Sequence, residues 1–192
     1  MGARAVRASR TAAAMLAGAL AACAHGPLVV PTQFPAQAPE PPTLCPAHLV
    51  ELTDSRRSMD GGRMGRRPID GSAFPQWIFT GFATLFDTPH ADADALELHA
   101  ELLQAYSRYV ATTKSATLAL RVEYRQSGIR KGSNIYRGTV AGSHWSGSEA
   151  EMLGAFERAL RQVLRQVRAD TDALCELAHS APNPDRSAAA PN

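Results

Sequence analysis

Residues 117–125 read TLALRVEYR, with Leu118, Leu120, Val122 and Tyr124 alternating against Ala119, Arg121, Glu123 and Arg125. That alternation has the period of a strand with one face buried and the other in water. Gln126–Ser133 supplies turn residues, and Ile135–Trp145 reads as the returning strand of a hairpin. A half-buried sheet needs a cover, and helical patterns stand on both sides of it. Downstream, Ser148 and Glu151 form a capping box, and Met152, Phe156, Leu160, Val163 and Val167 recur at helical spacing through about Leu177. Arg158, Arg161, Arg165 and Arg168 take the opposite face, a solvated surface that needs no nucleic acid. Upstream, Ile78, Phe82, Leu85 and Phe86 fall at i, i+4, i+7 and i+8 between the start signals Ser72 and Pro75 and the stop Pro89. Trp77 and Phe79 broaden that face, so this helix is expected to be well buried.

The stretch 92–110 carries two signals. Asp94 and Glu97 have capping-box spacing, and Leu96, Leu103, Tyr106 and Val110 suit a helix. Leu96-Glu97-Leu98-His99-Ala100-Glu101-Leu102 alternates strictly, which argues a strand, the favoured reading. Leu49–Asp54 is a short β-prone run that leads into an arginine- and glycine-rich loop over 55–71. The order is then β-α-β-β-β-α. This is an α+β domain, with a mostly antiparallel four-stranded sheet and two helices on one face.

The chain has 192 residues, 45% apolar and 20% charged, which suits one domain plus tails. Arg4, Arg7 and Arg10 precede an alanine-rich apolar stretch, Thr11–Ala22, that closes on Leu20-Ala21-Ala22-Cys23. At about a dozen residues it is too short to span a bilayer. It resembles a secretory signal peptide with a lipobox, and the resemblance implies cleavage before Cys23 and diacylglycerol and acyl chains (palmitate) on that residue. Ala24 is not the aspartate of an inner-membrane retention signal, so outer-membrane sorting is implied, with the domain facing the periplasm. Loss of three arginines from 20 Lys+Arg against 18 Asp+Glu takes the formal charge to about −1, and the basic balance of the precursor says nothing about nucleic acid. The expected boundaries are a signal peptide over 1–22, lipidated Cys23 and a proline-rich tether over 23–47, a single domain over 48–178 and a disordered tail over 179–192.

With the lipobox and tether, Asp54-Ser55-Arg56 closing the first strand, a long helix, three strands and a last helix resemble small outer-membrane lipoproteins of the YajG type. They also resemble the auxiliary lipoproteins of lipid-transport ABC systems. The likeness is one of layout over most of 48–178, and it implies an accessory role in the envelope.

Chemistry for an enzyme is thin. No H-E-x-x-H occurs, and His25, His48, His90 and His179 fall in tether, loops or tail. His99 is expected on the outward side of its strand. Gly142-Ser143-His144-Trp145-Ser146-Gly147 is not a nucleophile elbow and serves better as a strand end and helix cap. Gly61-Gly62-Arg63-Met64-Gly65 lacks the ending of a phosphate loop. We therefore expect no cofactor, no metal and no catalysis. Arg56, Arg57, Arg63, Arg66 and Arg67 crowd one loop with only Asp60 among them, a set that could grip phosphate, carboxylate or an acidic partner, or serve as solvated surface. The expected function is a membrane-anchored binding or accessory component with an envelope protein partner. The alternative is a periplasmic module for a small apolar ligand or lipid, held between helices and sheet.

Of three cysteines, lipidation of Cys23 leaves Cys45 and Cys175. Export places both in an oxidising compartment, where an isolated pair is more often bridged than free. Two buried free thiols are the alternative, and neither state implies redox catalysis, because the pair is not C-x-x-C.

Cys23→Ser is expected to abolish incorporation of labelled palmitate and to release the protein from the membrane fraction. A variant that still labels and sediments with membranes overturns the anchor.

Overall fold

The computed structural model describes residues 26–35, 43–64, 67–86, 95–110, 112–143 and 148–180. The signal peptide, Cys23, Arg66, His25, His90, the His144–Gly147 segment and most of the expected tail lie outside the described residues. The chain runs β1 (Leu28–Val29), β2 (Ala47–Asp54), β3 (Asp60–Met64), β4 (Arg67–Asp70), α1 (Phe74–Phe86), β5 (Leu96–Val110), β6 (Thr113–Gln126), β7 (Ile129–Gly142) and α2 (Glu149–Ser180).

The hairpin of β6 and β7 forms, paired from Lys114↔Gly142 to Gln126↔Ile129 with a register shift between Tyr124 and Arg125, and its turn is shorter than the expected 126–133 because β7 already starts at Ile129. Ser127 and Gly128 at its turn both have positive φ, the conformation that matches the twist of two closely joined strands. Over 96–110 the chain is a strand, antiparallel to β6 from Leu96↔Gln126 to Val110↔Thr113. At α2 the Ser148 hydroxyl accepts the Glu151 N–H at 3.3 Å, which closes the expected cap.

β2, β5, β6 and β7 with α1 and α2 reproduce the β-α-β-β-β-α order, but the sheet is larger and mixed. It has seven strands, with β1-β4-β3-β5-β6-β7 along one path and β2 also on β5. β2 and β5 are parallel, from Ala47↔Leu96 to Asp54↔Leu102, because the chain returns to β5 through the crossover that contains α1. The expected loop over 55–71 is largely the β3–β4 hairpin, paired at Arg63↔Pro68 and Met64↔Arg67. Strands this short and glycine-rich show no period to read.

The expected tether is also corrected. Leu28 and Val30 are 0% and 1% exposed and Phe34 is 6% exposed, so residues 26–35 form a strap across the domain. Prolines on both sides confine β1 to two residues, parallel to β4 at Leu28↔Ile69.

One core joins the sheet to both helices: Leu98, Leu102, Leu118, Leu120 and Val122 with Phe74, Ile78 and Phe82 of α1 and Phe156, Leu160 and Val163 of α2. Phe74 and Phe156 meet edge to face with centroids 4.8 Å apart. Phe79, expected to extend the buried face of α1, is instead exposed. α2 lies so close to β7 that a Cβ on Gly138 would come within 1.9 Å of the Ala159 carbonyl oxygen. Gly138→Ala must therefore lift the helix.

Cys45 and Cys175 are bridged, with Cα atoms 5.7 Å apart across a sequence separation of 130. In the chain-entropy account a loop of that length contributes up to about 4 to 5 kcal/mol, less whatever residual structure the unfolded chain retains. Non-reducing mass spectrometry should show a deficit of two hydrogens, and reduction should lower the melting temperature. Two alkylatable thiols on the unfolded, unreduced chain would sink the bridge.

Candidate functional site

The arginines of 55–67 do not act as one patch. Arg56 turns inward, with its side chain 3% exposed, where Nε and Nη2 donate to the Asp54 carboxylate at 2.9 and 2.7 Å. Nη2 also donates to the Gly71 carbonyl at 2.9 Å, and the guanidinium lies 5.5 Å from the centre of the Phe74 ring. This latch ties the end of β2 to the start of α1, which removes Arg56 from the candidate anion-binding set. Arg67 is half committed: Nε donates to the Gly26 carbonyl at 3.1 Å, and Nη1 lies 3.6 Å from Glu149. Arg57 and Arg63 remain exposed.

Arg57 borders a gap in the sheet. β2 leaves β5 after Leu102, whose carbonyl accepts the Ser55 N–H at 3.0 Å, and β3 joins only at Gly62↔Ser107. Gly62 is needed there, since its φ is +88° and a Cβ would lie 2.1 Å from the Ser107 carbonyl oxygen. Residues 103–106 of β5 pair with neither strand, and they floor an open groove of about 420 Å³ walled by Arg57 and Asp60.

A second cleft, about 450 Å³, runs between Thr139–Ala141 of β7 and Arg158, Arg161 and Arg165 of α2. Among the described residues β7 has no strand on its outer side. Part of that edge is covered by α2: the Thr139 N–H donates to Gln162 Oε1 at 3.0 Å, and Gln166 Nε2 donates to the Arg137 carbonyl at 3.1 Å. The helix arginines, expected as a uniform solvated face, divide in the same way. Arg161 pairs with Glu157 and lies 5.3 Å from the Phe34 ring centre, and Arg168 pairs with Asp172 at 3.7 Å. Arg158 and Arg165 are exposed, with no carboxylate partner among the described residues. Sequence reasoning missed this cleft. Its only advance signal is Gln162 and Gln166, one helical turn apart beside the arginines.

Tyr124 and Tyr136 share a hydrogen bond of 2.6 Å under α2, and Tyr136 donates to Asp170 Oδ2 at 2.6 Å. Burial holds both phenols well above their ordinary range, so they act as fixed neutral donors. His99 lies on the outward face as expected, with Nδ1 3.4 Å from Glu51 Oε1 and Nε2 3.9 Å from Glu97. Among the described residues no three His, Cys, Asp or Glu side chains converge on a point where a metal could bind. No described helix is long and apolar enough to cross a membrane.

No family model matches the chain, and no curated protein matches it. Among solved structures, a Xanthomonas campestris protein of the DUF330 family is 17% identical, with a TM-score of 0.51 over 82% of this chain and 98% of that one. At that identity the likeness is one of fold. A candidate lipoprotein of Caulobacter crescentus aligns at 14% identity, over 69% of this chain and 93% of its own, with a TM-score of 0.41. A Neisseria meningitidis lipoprotein aligns at 13% identity, over 73% of this chain and 100% of its own, with a TM-score of 0.30.

The Arg56 latch sets a pH dependence. The side-chain hydrogen bond from Arg56 holds the Asp54 carboxyl below its ordinary 3.8, against the upward push of burial. The folded state thus takes up this proton less readily than the unfolded one. The stabilisation is full above pH 3.8 and is lost as the pH falls through the lower folded value. Arg56→Ala, which strands a partly buried carboxylate and a carbonyl, should cost about 3 kcal/mol or more, whereas Arg63→Ser should stay within about 0.5 kcal/mol. The stability gap between wild type and Asp54→Asn should narrow as the pH drops below 3.8. Denaturant titrations across that range check both, and an Arg56→Ala variant of wild-type stability would refute the latch.

Proposed function

We propose that the protein is a non-enzymatic accessory lipoprotein, held at the outer membrane by lipid on Cys23 and facing the periplasm. It docks on an envelope partner through the outer edge of β7. The observation that carries this reading is the edge itself: 14 residues long, with exposed Ile129 and Ile135, and flanked by the uncommitted Arg158 and Arg165. An open strand edge accepts an extended segment by main-chain hydrogen bonding, and flanking guanidinium groups select carboxylates. The occupant is therefore an acidic, extended segment of a partner protein, in an assembly of the lipid-transport kind that the sequence layout resembles.

The rival reading, an apolar ligand between helices and sheet, is disfavoured around α1 and the first half of α2, where the described side chains fill the space. Trp77, Phe82, Met152, Phe156 and Leu160 are at most 2% exposed. A Cβ on Gly81 would already meet Leu160 at 2.9 Å.

A photo-crosslinking residue at Ala141, on the β7 edge, should capture one envelope protein in intact cells. The same residue at Arg125, which is exposed on β6, should not. Arg158→Glu with Arg165→Glu should cut the Ala141 adduct at least severalfold while leaving thermal stability nearly unchanged. Equal adducts at both positions, or indifference to the charge reversal, would refute docking at this edge.

A further inference from the structure

We infer that the domain rests directly on the bilayer, with one end of the sheet pressed to anionic phospholipid headgroups, and is not held away from it on a spacer. The inference rests on the reading of Cys23 as the lipid anchor and adds an orientation to it.

Only Ala24 and His25 lie between Cys23 and Gly26, so the reach is at most about 11 Å over three Cα–Cα steps when fully extended. Gly26 is already tied to the domain, since its carbonyl accepts Arg67 Nε at 3.1 Å. Two residues on, Leu28 is completely buried and paired with Ile69. Because the chain is bound to the domain from Gly26 onward, the prolines after it add no length between Cys23 and the domain, and the bilayer lies within about 11 Å of Gly26.

Strand directions decide what else lies at that end. β1 begins there and is parallel to β4, so Arg67, the first residue of β4, is there too. β3 is antiparallel to β4 and parallel to β5, which brings Arg63, Arg108 and Tyr109 to the same end. Tyr109 pairs with Lys114 at the start of β6, and Lys114 pairs with Gly142 at the end of β7. α2 starts at this end with Glu149, which Arg67 engages, and Glu151. The side chains of Arg63 and Arg108 are exposed, with no carboxylate partner among the described residues, and Tyr109 is 60% exposed. Exposed guanidinium groups beside an exposed tyrosine suit a surface of phosphate headgroups, where the ring sits at the interface and the cations meet anionic lipid.

The other end carries the Cys45–Cys175 bridge, the 127–128 turn and exposed Ile129. Strands of 14 and 15 residues separate the two ends, a distance of about 45 Å.

The test uses the full, natively lipidated protein in vesicles of phosphatidylethanolamine and phosphatidylglycerol that contain a nickel-chelating lipid. A nitroxide is attached through Tyr109→Cys or Ile129→Cys, under conditions that keep the native bridge. The bound nickel should relax the label at 109 several times more strongly than the label at 129. Ten glycine and serine residues inserted after Ala24 should erase most of that difference. Equal relaxation at the two positions in palmitate-labelled protein overturns the orientation and leaves the anchor standing. Absence of palmitate on Cys23 overturns the anchor and the orientation with it.

Discussion

β5 is the strand on which the rest of the domain depends, because both of its edges are in use. One edge is fully paired with β6, while the other is divided between β2 over Leu96–Leu102 and β3 at Ser107. A bulge between Leu102 and Gln104 makes this division workable. Before it, Leu96, Leu98, Ala100 and Leu102 are buried; after it, Ala105 and Ser107 are, so the inward face moves from even to odd positions. The added residue bends and twists the strand at the point where β2 departs. The arginine groove is the space that this bend and the change of partner leave open.

The same bulge explains which parts of the fold were legible in the sequence. Leu96–Leu102 showed its period plainly, but the shift of face at Leu103 left Leu96, Leu103, Tyr106 and Val110 spaced like one side of a helix. The middle of the β6–β7 hairpin and most of α2 keep one period and were readable, but a register shift between Tyr124 and Arg125 hid the start of β7, which lies at Ile129 within the expected turn. β1, β3 and β4 were not, because two to five residues cannot establish a period and their pairing partners are distant in sequence. Arg56 was misread for a related reason. Its identity suggested solvent, and only the return of the chain at Gly71 and Phe74 gave the guanidinium a buried place. The β7–α2 cleft could not be read from either element alone, since it exists only where Gln162 and Gln166 reach the strand.

The surfaces of the sheet differ in a way that bears on what the protein can bind. Its outward face holds ion pairs across strands, Glu101 with Arg121 and Glu123 with Arg130, and one along β6, Glu123 with Arg125, beside His99 between two glutamates. Paired charges on a flat face discourage apolar contact and contribute little to stability. The β7 edge is protected only in its middle, by two glutamines that hold a single N–H and a single carbonyl. Those are neutral, exposed hydrogen bonds that an incoming strand can exchange for its own at small net cost. Unlike an edge blocked by a proline or an inward-pointing lysine, this one is guarded in a reversible way.

The strap links these surfaces to the proposed anchor. It begins at Gly26 beside the start of α2 and places Phe34 between Trp77 and Arg161, and further along the chain Cys45 is bridged to Cys175 near the other end of α2. α2 has 32 residues, about 48 Å of helix, which matches the length of the strands below it. Gly26 and Cys45 are thus both fixed to the domain, by Arg67 and the core contacts of Leu28 at one and by a covalent bond at the other. A force on a lipid at Cys23 would reach Leu28 and the β1–β4 pair first. The two-residue pairing of β1 with β4 is thus held by the burial of Leu28 and Val30 more than by its own hydrogen bonds.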